Sequence, residues 1–219
     1  MAYLLRVELP DTPGTLGAVA TAFGQVGADI LAMDIVERTR DRAVDDIIVD
    51  LPAGKAPDCL ITAGESVPGV HVESVRPDPG VAGAHREWEL VEAMAASPAT
   101  AVAALAKMLP EVLRVGWAAG VTVDAAGRPT LIAGGGGVPD LTDVILPPGI
   151  ADKPRALDPE AMWVPSDWRE MATELAVAPL GVDAVVLVGR PGGPAMRDVE
   201  VGRLAHLAGL AAVVAGSPG

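Results

Sequence analysis

Two periodic stretches of apolar and polar positions are separated by a short passage that has no period. In the first, Leu4 to Leu9 reads as a strand, and Leu16, Val19, Ala20, Phe23 and Val26 then fall at helical spacing in a single apolar stripe. Ile30 to Arg38 and Ala43 to Leu51 are apolar-rich runs joined by the charged turn Thr39-Arg40-Asp41-Arg42, most simply a hairpin, although Asp45-Asp46 interrupts the second run. A short helix within Pro57 to Val67 places Leu60, Ile61, Gly64 and Val67 on one face, and Val70 to Val75 alternates as a closing strand. The order is βαββαβ. It predicts a ferredoxin-like, four-stranded antiparallel sheet with both helices on one face, where right-handed crossovers put them.

In the second stretch, Arg86 to Ala96 and Ser97 to Val115 read as helices, the latter opened by Ser97 as N-cap and Pro98 at the first helical position, with Pro110 expected to bend or end it. Trp117 to Asp124 and Thr130 to Ala133 read as strands around the turn Ala125 to Pro129. A Gly-, Pro- and Asp-rich passage follows through Pro159. Ala161 to Val164, Glu174 to Ala178 and Ala184 to Arg190 read as further strands, and a helix from about Asp198 to Val214 carries Leu204, Leu207, Ala208 and Ala211 on one side. This half is expected to be α+β as well. Between the stretches, Arg76 to Ala84 is too dense in proline and glycine for either helix or strand, so the domains are read as 1–77 and 86–219 with a linker at 78–85.

Composition narrows the function. Lys and Arg number 16 against 29 Asp and Glu, a formal charge of −13, and neither half hides a basic domain, so nucleic acid is not an expected partner. The six aromatic residues, Tyr3, Phe23, Trp88, Trp117, Trp163 and Trp168, are too few for a base-stacking platform. Cys59 stands alone and His71, His85 and His206 lie far apart, which leaves no disulfide, no metal-ligand spacing and no expected cofactor. The start turns charged within its first residues, and the apolar stretch Leu204 to Gly216 falls short of the ~20 residues of a bilayer span, so the expected setting is cytoplasmic, away from membranes.

The segment Pro10-Asp11-Thr12-Pro13-Gly14-Thr15-Leu16 joins the first strand to the first helix. With Thr12 as N-cap and Pro13 as first helical residue, the amide N–H groups of Gly14, Thr15 and Leu16 lack intrahelical acceptors and point at one spot, where the helix dipole favours negative charge. Gly14 has no Cβ to hold a carboxylate off the backbone. The competing reading is that Asp11 or Thr12 caps the same donors and the segment only starts a helix.

Asp11-x-Pro13-Gly14-x-Leu16 after a strand, followed by Gly27-Ala28-Asp29-Ile30 opening the next strand, resembles the ACT domain, an amino-acid-binding regulatory module. The resemblance covers residues 3 to 76. It implies a dimer, or a higher homo-oligomer, in which sheets pair edge to edge and a free amino acid sits in the seam. Gly14, Thr15 and Leu16 would then hold the α-carboxylate through backbone N–H groups, with Asp11 and Thr12 shaping the loop. Asp29 would face the ammonium from its own or the neighbouring subunit, and Ile30 would offer backbone. Many ACT domains have Asn where this chain has Asp29. A charge at a helix start is worth at most ~2 kcal/mol, whereas micromolar binding needs ~8 kcal/mol, so one loop alone is insufficient. Enclosure between subunits would supply the remainder.

Val177 to Arg190, Arg197-Asp198-Val199-Glu200 and the helix through Ala208 resemble the closing strands and last helix of a GAF domain. That resemblance implies helix-mediated dimerisation or a degenerate pocket. Gly134 to Gly137 reads as a flexible turn, since no Lys-Ser or Lys-Thr follows it. Asp140, Asp143, Asp152, Asp158 and Glu160 read as solvated loop charges without a calcium-loop spacing. His206 reads as structural, and Trp163 and Trp168 as core anchors. Ser66, Ser74, Ser97 and Ser166 have no nucleophile-elbow context. The expectation is a non-catalytic, amino-acid-sensing regulatory protein that signals through its GAF-like half to an unknown protein partner. The rivals are a ligand-free dimerisation scaffold and a small enzyme of amino-acid metabolism.

Overall fold

The computed structural model describes residues 1–78 and 85–216. The chain forms two compact units, Met1–Val81 and Ala82–Gly219, and most of the expected linker, residues 79–84, lies outside the described residues.

The first unit runs β1 (Ala2–Pro10), α1 (Thr15–Gln25), β2 (Asp29–Arg38), β3 (Arg42–Asp50), α2 (Asp58–Glu65) and β4 (His71–Pro77). Its four strands are antiparallel in the order β2-β3-β1-β4, so β2 and β4 are the edges. Strand alternation sends Leu5, Val7 and Leu9 of β1 and Ile47 and Val49 of β3 to one face. There they pack with Val19 and Phe23 of α1 and Leu60 of α2 in one core. Gly64 is required by this packing, because a Cβ there would come within 2.8 Å of Val72.

The opposite register of the sheet carries a charged row. Arg6 pairs with Asp46 in the ladder, and its guanidinium grips that carboxylate through Nε to Oδ1 at 2.9 Å and Nη2 to Oδ2 at 3.0 Å, both residues buried. Asp45-Asp46 therefore does not break β3: Asp46 is neutralised across the strand pair.

The second unit runs α3 (His85–Ala96), a 3₁₀ turn (Pro98–Thr100), α4 (Ala101–Val112), β5 (Trp117–Val123), β6 (Pro129–Gly136), β7 (Arg155–Leu157), α5 (Ser166–Glu170), β8 (Glu174–Pro179), β9 (Ala184–Arg190) and α6 (Asp198–Gly216). Its sheet is antiparallel in the order β6-β5-β9-β8-β7. One face packs on α3, α4 and α6 through Leu90, Leu105, Leu109, Leu204 and Leu207. The other is covered by the long β6–β7 passage through Leu141, Val144, Leu146 and Ile150, with Trp117 and Trp168 tilted against each other at 5.1 Å. Trp168 is thus a core anchor.

Three expectations need correction. Ala161 to Val164 is a turn and not a strand; the short edge strand is Arg155–Leu157, three residues that are too few to show a period. Gly134–Gly136 is not a flexible turn but the end of β6. A Cβ on Gly135 would lie 2.1 Å from the Ala106 carbonyl oxygen, so the glycines let the α4 backbone lie directly on the strand. Pro110 stays inside α4, which ends two residues later. The loop carboxylates are exposed, as expected; Asp140 also accepts from the Thr142 hydroxyl and N–H (2.6 and 2.9 Å), and these bonds hold its pKa below the usual carboxylate value. Asp158 and Asp124 accept backbone N–H groups in the same way. The final helix reaches Gly216, 19 residues that are long and apolar enough to span a bilayer, yet Val201, Leu204, Leu207, Ala208 and Ala211 are spent on the unit's own core.

Candidate functional site

After Pro10 the chain turns sharply, with the Thr12 N–H on the Pro10 carbonyl (2.9 Å) and the Thr15 N–H on that of Thr12 (3.2 Å). Helix α1 begins at Thr15 with Gly14 as its N-cap, at φ 95° and ψ −18°. Thr12 is therefore not the N-cap, and Pro13 lies in the turn and not in the helix. The tight turn needs a left-handed residue, which only glycine supplies without strain. A Cβ at Gly14 would meet nothing within 4 Å, so the backbone angle, and not crowding, demands glycine.

The three-donor expectation changes in one member. The Thr15 amide is already used, whereas the amides of Gly14, Leu16 and Gly17 have no acceptor among the described residues. No side chain caps the helix, and its first turn holds no acidic residue. Thr12 and Thr15 instead share a hydroxyl–hydroxyl bond of 2.8 Å. Asp11, the obvious competitor, is turned away: Arg38 at the end of β2 donates to its carboxylate from Nε (2.6 Å) and Nη2 (3.0 Å), and its own N–H reaches the Asp41 carbonyl (3.0 Å). Gly17, next on the helix, is also open. An uncapped helix start of this kind favours negative charge.

Asp29 and Ile30 stand at the other end of the sheet. The ladder aligns Asp29 with Asp50, whereas Arg38 aligns with Ala43 next to the loop, so the two ends of β2 are roughly 30 Å apart. Within one chain they do not meet the loop. Asp29 is exposed and Ile30 packs against the core. Edge strand β2 also exposes Leu31 (58 %), Met33 (38 %) and Ile35 (58 %).

Sequence reasoning passed over Asp45. It is 4 % exposed, its Oδ1 has no hydrogen-bond partner, and burial first, then the nearby carboxylates of Asp46 and Asp11, push its pKa above the usual value, with Arg38 acting against them. The available signal was a pair of acids inside an otherwise apolar strand.

In the second unit an open depression between the β5–β6 turn and Ile145–Asp152 holds Asp124 and Asp152, but Asp124 is spent on its own turn. Among the described residues, no group of three or more His, Cys, Asp and Glu side chains is placed to hold a metal ion.

No family model matches the chain, and no curated protein matches it. Among solved structures it is similar to the GAF domain of an Acinetobacter phosphoenolpyruvate-protein phosphotransferase, with 13% identity over 60% of this chain and 90% of that one and a TM-score of 0.46. A GAF domain/HD domain protein from Geobacter sulfurreducens shares 16% identity over 57% of this chain and 95% of its own, with a TM-score of 0.43. A formyltetrahydrofolate deformylase from Pseudomonas putida KT2440 matches at 12% identity over 43% of this chain and 38% of its own, with a TM-score of 0.30.

Proposed function

We propose that the chain is a non-catalytic regulatory protein whose first unit, ACT-like, binds a free amino acid and whose second unit, GAF-like, passes the bound state to a protein partner. The observation that carries this reading is the uncapped start of α1. The Gly14, Leu16 and Gly17 amides lack acceptors, and the one carboxylate in the loop is held off them by Arg38. Such a tip accepts a carboxylate without displacing any bond that the protein makes to itself.

The other half of the seam is a second copy. Exposed apolar side chains on an unpaired edge strand favour strand-to-strand association. Antiparallel pairing of two β2 strands about their midpoints brings Asp29 of one copy to the Arg38 end of the other, next to the loop. The roughly 30 Å gap within one chain disappears in that arrangement. Leu31, Met33 and Ile35 are covered at the same time. An amino acid enclosed there favours one arrangement of subunits, and the second unit presents that arrangement to its partner.

Equilibrium dialysis of the full chain against each of the twenty standard amino acids, with sedimentation to read the oligomeric state, tests this. Saturable binding by a dimer or larger assembly is expected. A stable dimer that binds none of the set favours the dimerisation scaffold, the reading to which the apolar β2 edge alone would lead. Consumption of a bound amino acid during the dialysis would instead favour an enzyme.

A further inference from the structure

Asp45 sits in mid-β3, where the ladder places Val7 of β1 and Ile35 of β2 on either side of it. It belongs to the helix-bearing face, since its neighbours two residues away on the strand, Ala43 and Ile47, are members of the core that includes α1. Its neighbour Asp46 points to the opposite face and is satisfied by both arms of Arg6. One strand thus buries two successive carboxylates, one fully paired and one with an oxygen that nothing meets.

A buried carboxylate without a hydrogen-bond partner is costly, and the charges that act on this one are mostly of its own sign. On β3 the adjacent charge is Asp46, of the same sign. In the loop it is Asp11, again of the same sign. From β2 comes Arg38, already gripped by Asp11. Helix α1, Thr15–Gln25, contains no titratable side chain. What the site lacks is a cation.

Its position says which one. Two residues along the same face, Ala43 lies opposite Leu9 of β1 and Arg38 of β2, the last steps before the loop. Asp45 is therefore about 10 Å of strand below Pro10, where the loop begins. Leu16, in the first turn of α1, packs into the same core. Two hydrogen bonds of about 2.8 Å, added to the ~3 Å between the ends of a small zwitterion, cover a distance of that order.

We propose that Asp45 takes the ammonium of the bound amino acid, in the same subunit whose Gly14, Leu16 and Gly17 amides take its carboxylate. This rests on the amino-acid reading above and moves the cationic end of the site from Asp29, which is exposed and aligned with another acid, Asp50, to the buried acid under the loop. The recognised class becomes compounds with a free carboxylate and a protonated amine on the same carbon. Replacing that amine with a hydroxyl leaves Asp45 as it is in the free protein, without a counter-charge.

The test uses the full chain, the twenty standard L-amino acids one at a time and, for each that binds, the 2-hydroxy acid with the same side chain. The wild type is expected to prefer the amino acid at least about tenfold. Asp45→Asn and Asp45→Ser should each lose at least about tenfold in amino-acid affinity and bind the two acids alike, whereas Asp29→Asn should keep the preference. An unchanged affinity and preference in the Asp45 variants overturns the assignment, as does loss of preference in Asp29→Asn alone. The preference of the unaltered chain is read without any variant, and equal binding of the two acids overturns the assignment by itself. If the wild type binds none of the twenty, the amino-acid reading falls too. That outcome is distinct from binding that ignores Asp45.

Discussion

Arg38, the last residue of β2, holds Asp11 at the entrance of the β1–α1 loop through two hydrogen bonds of 2.6 and 3.0 Å. Without that grip the Asp11 carboxylate is the group best placed to fold back on the start of α1 and cap it, so this ion pair keeps the tip open. The pair is largely exposed on the Arg38 side, at 63 %. Arg38→Ala should therefore change stability little, as is usual for surface pairs. Amino-acid affinity should fall several-fold as Asp11 competes for the freed amides, and Asp11→Asn in the same background should recover part of it. Calorimetric titration of the two variants checks both.

Gly14 holds φ 95° with nothing near its missing Cβ. Gly14→Val is expected to cost about 1–2 kcal/mol from backbone strain alone. The dimer should survive, because Gly14 belongs to the β1–α1 loop and not to the β2 strand that pairs, while amino-acid binding is lost. Chemical denaturation, sedimentation and dialysis read the three quantities separately.

The pH dependence follows from Asp45. Its folded pKa is raised, so between the unfolded value of 3.8 and the folded value the native state holds a proton that the unfolded chain does not. The contribution of Asp45 to stability consequently falls as pH rises through that window and stays low above it. Asp45→Asn should raise the melting temperature of the ligand-free protein near neutral pH and should flatten its acid-side pH profile, as read by thermal denaturation over a series of pH values. A residue that weakens the free fold and strengthens binding is the signature of a site held under strain.

In the second unit, Arg190 is fully buried and donates to Glu200 Oε1 (2.6 Å) and to the carbonyls of Leu113 (3.0 Å) and Pro194 (3.1 Å). It ties β9 to the end of α4 and to the start of α6. Arg190→Met takes this donor from the Glu200 carboxylate and from the Leu113 and Pro194 carbonyls and should destabilise this unit by about 1–3 kcal/mol, measurable in denaturant. Amino-acid affinity in the first unit should change little if the second only transmits the signal.

The hairpin of β2 and β3 and helix α3 were legible because each is long enough to show its period and is bounded by residues that break it, whereas the expected Ser97 to Val115 helix is a 3₁₀ turn followed by α4 from Ala101 to Val112. Ala161 to Val164 misled for the opposite reason, being a short apolar run whose proline boundary suits a strand and a turn equally. The run Gly134–Gly137 reads as flexible by local propensity, and only the distance from Gly135 to the α4 backbone reveals its purpose. The loop was found but misassigned by two residues at its N-cap, because Thr12 has the chemistry of a cap while the chain places Gly14 there. Asp45 is marked in the sequence only by a second acid beside it in an apolar strand: its isolation depends on Arg6 having reached Asp46 and Arg38 having reached Asp11, both contacts between distant segments.

The most direct test is amide NMR of the ¹⁵N-labelled chain during titration with the tightest-binding amino acid. Large, saturable shifts of the Gly14, Leu16 and Gly17 N–H signals, with the hydrogen-bonded Thr15 signal moving less, are predicted. Saturation of the ligand with those amide signals unmoved and shifts concentrated elsewhere would contradict capture at the start of α1.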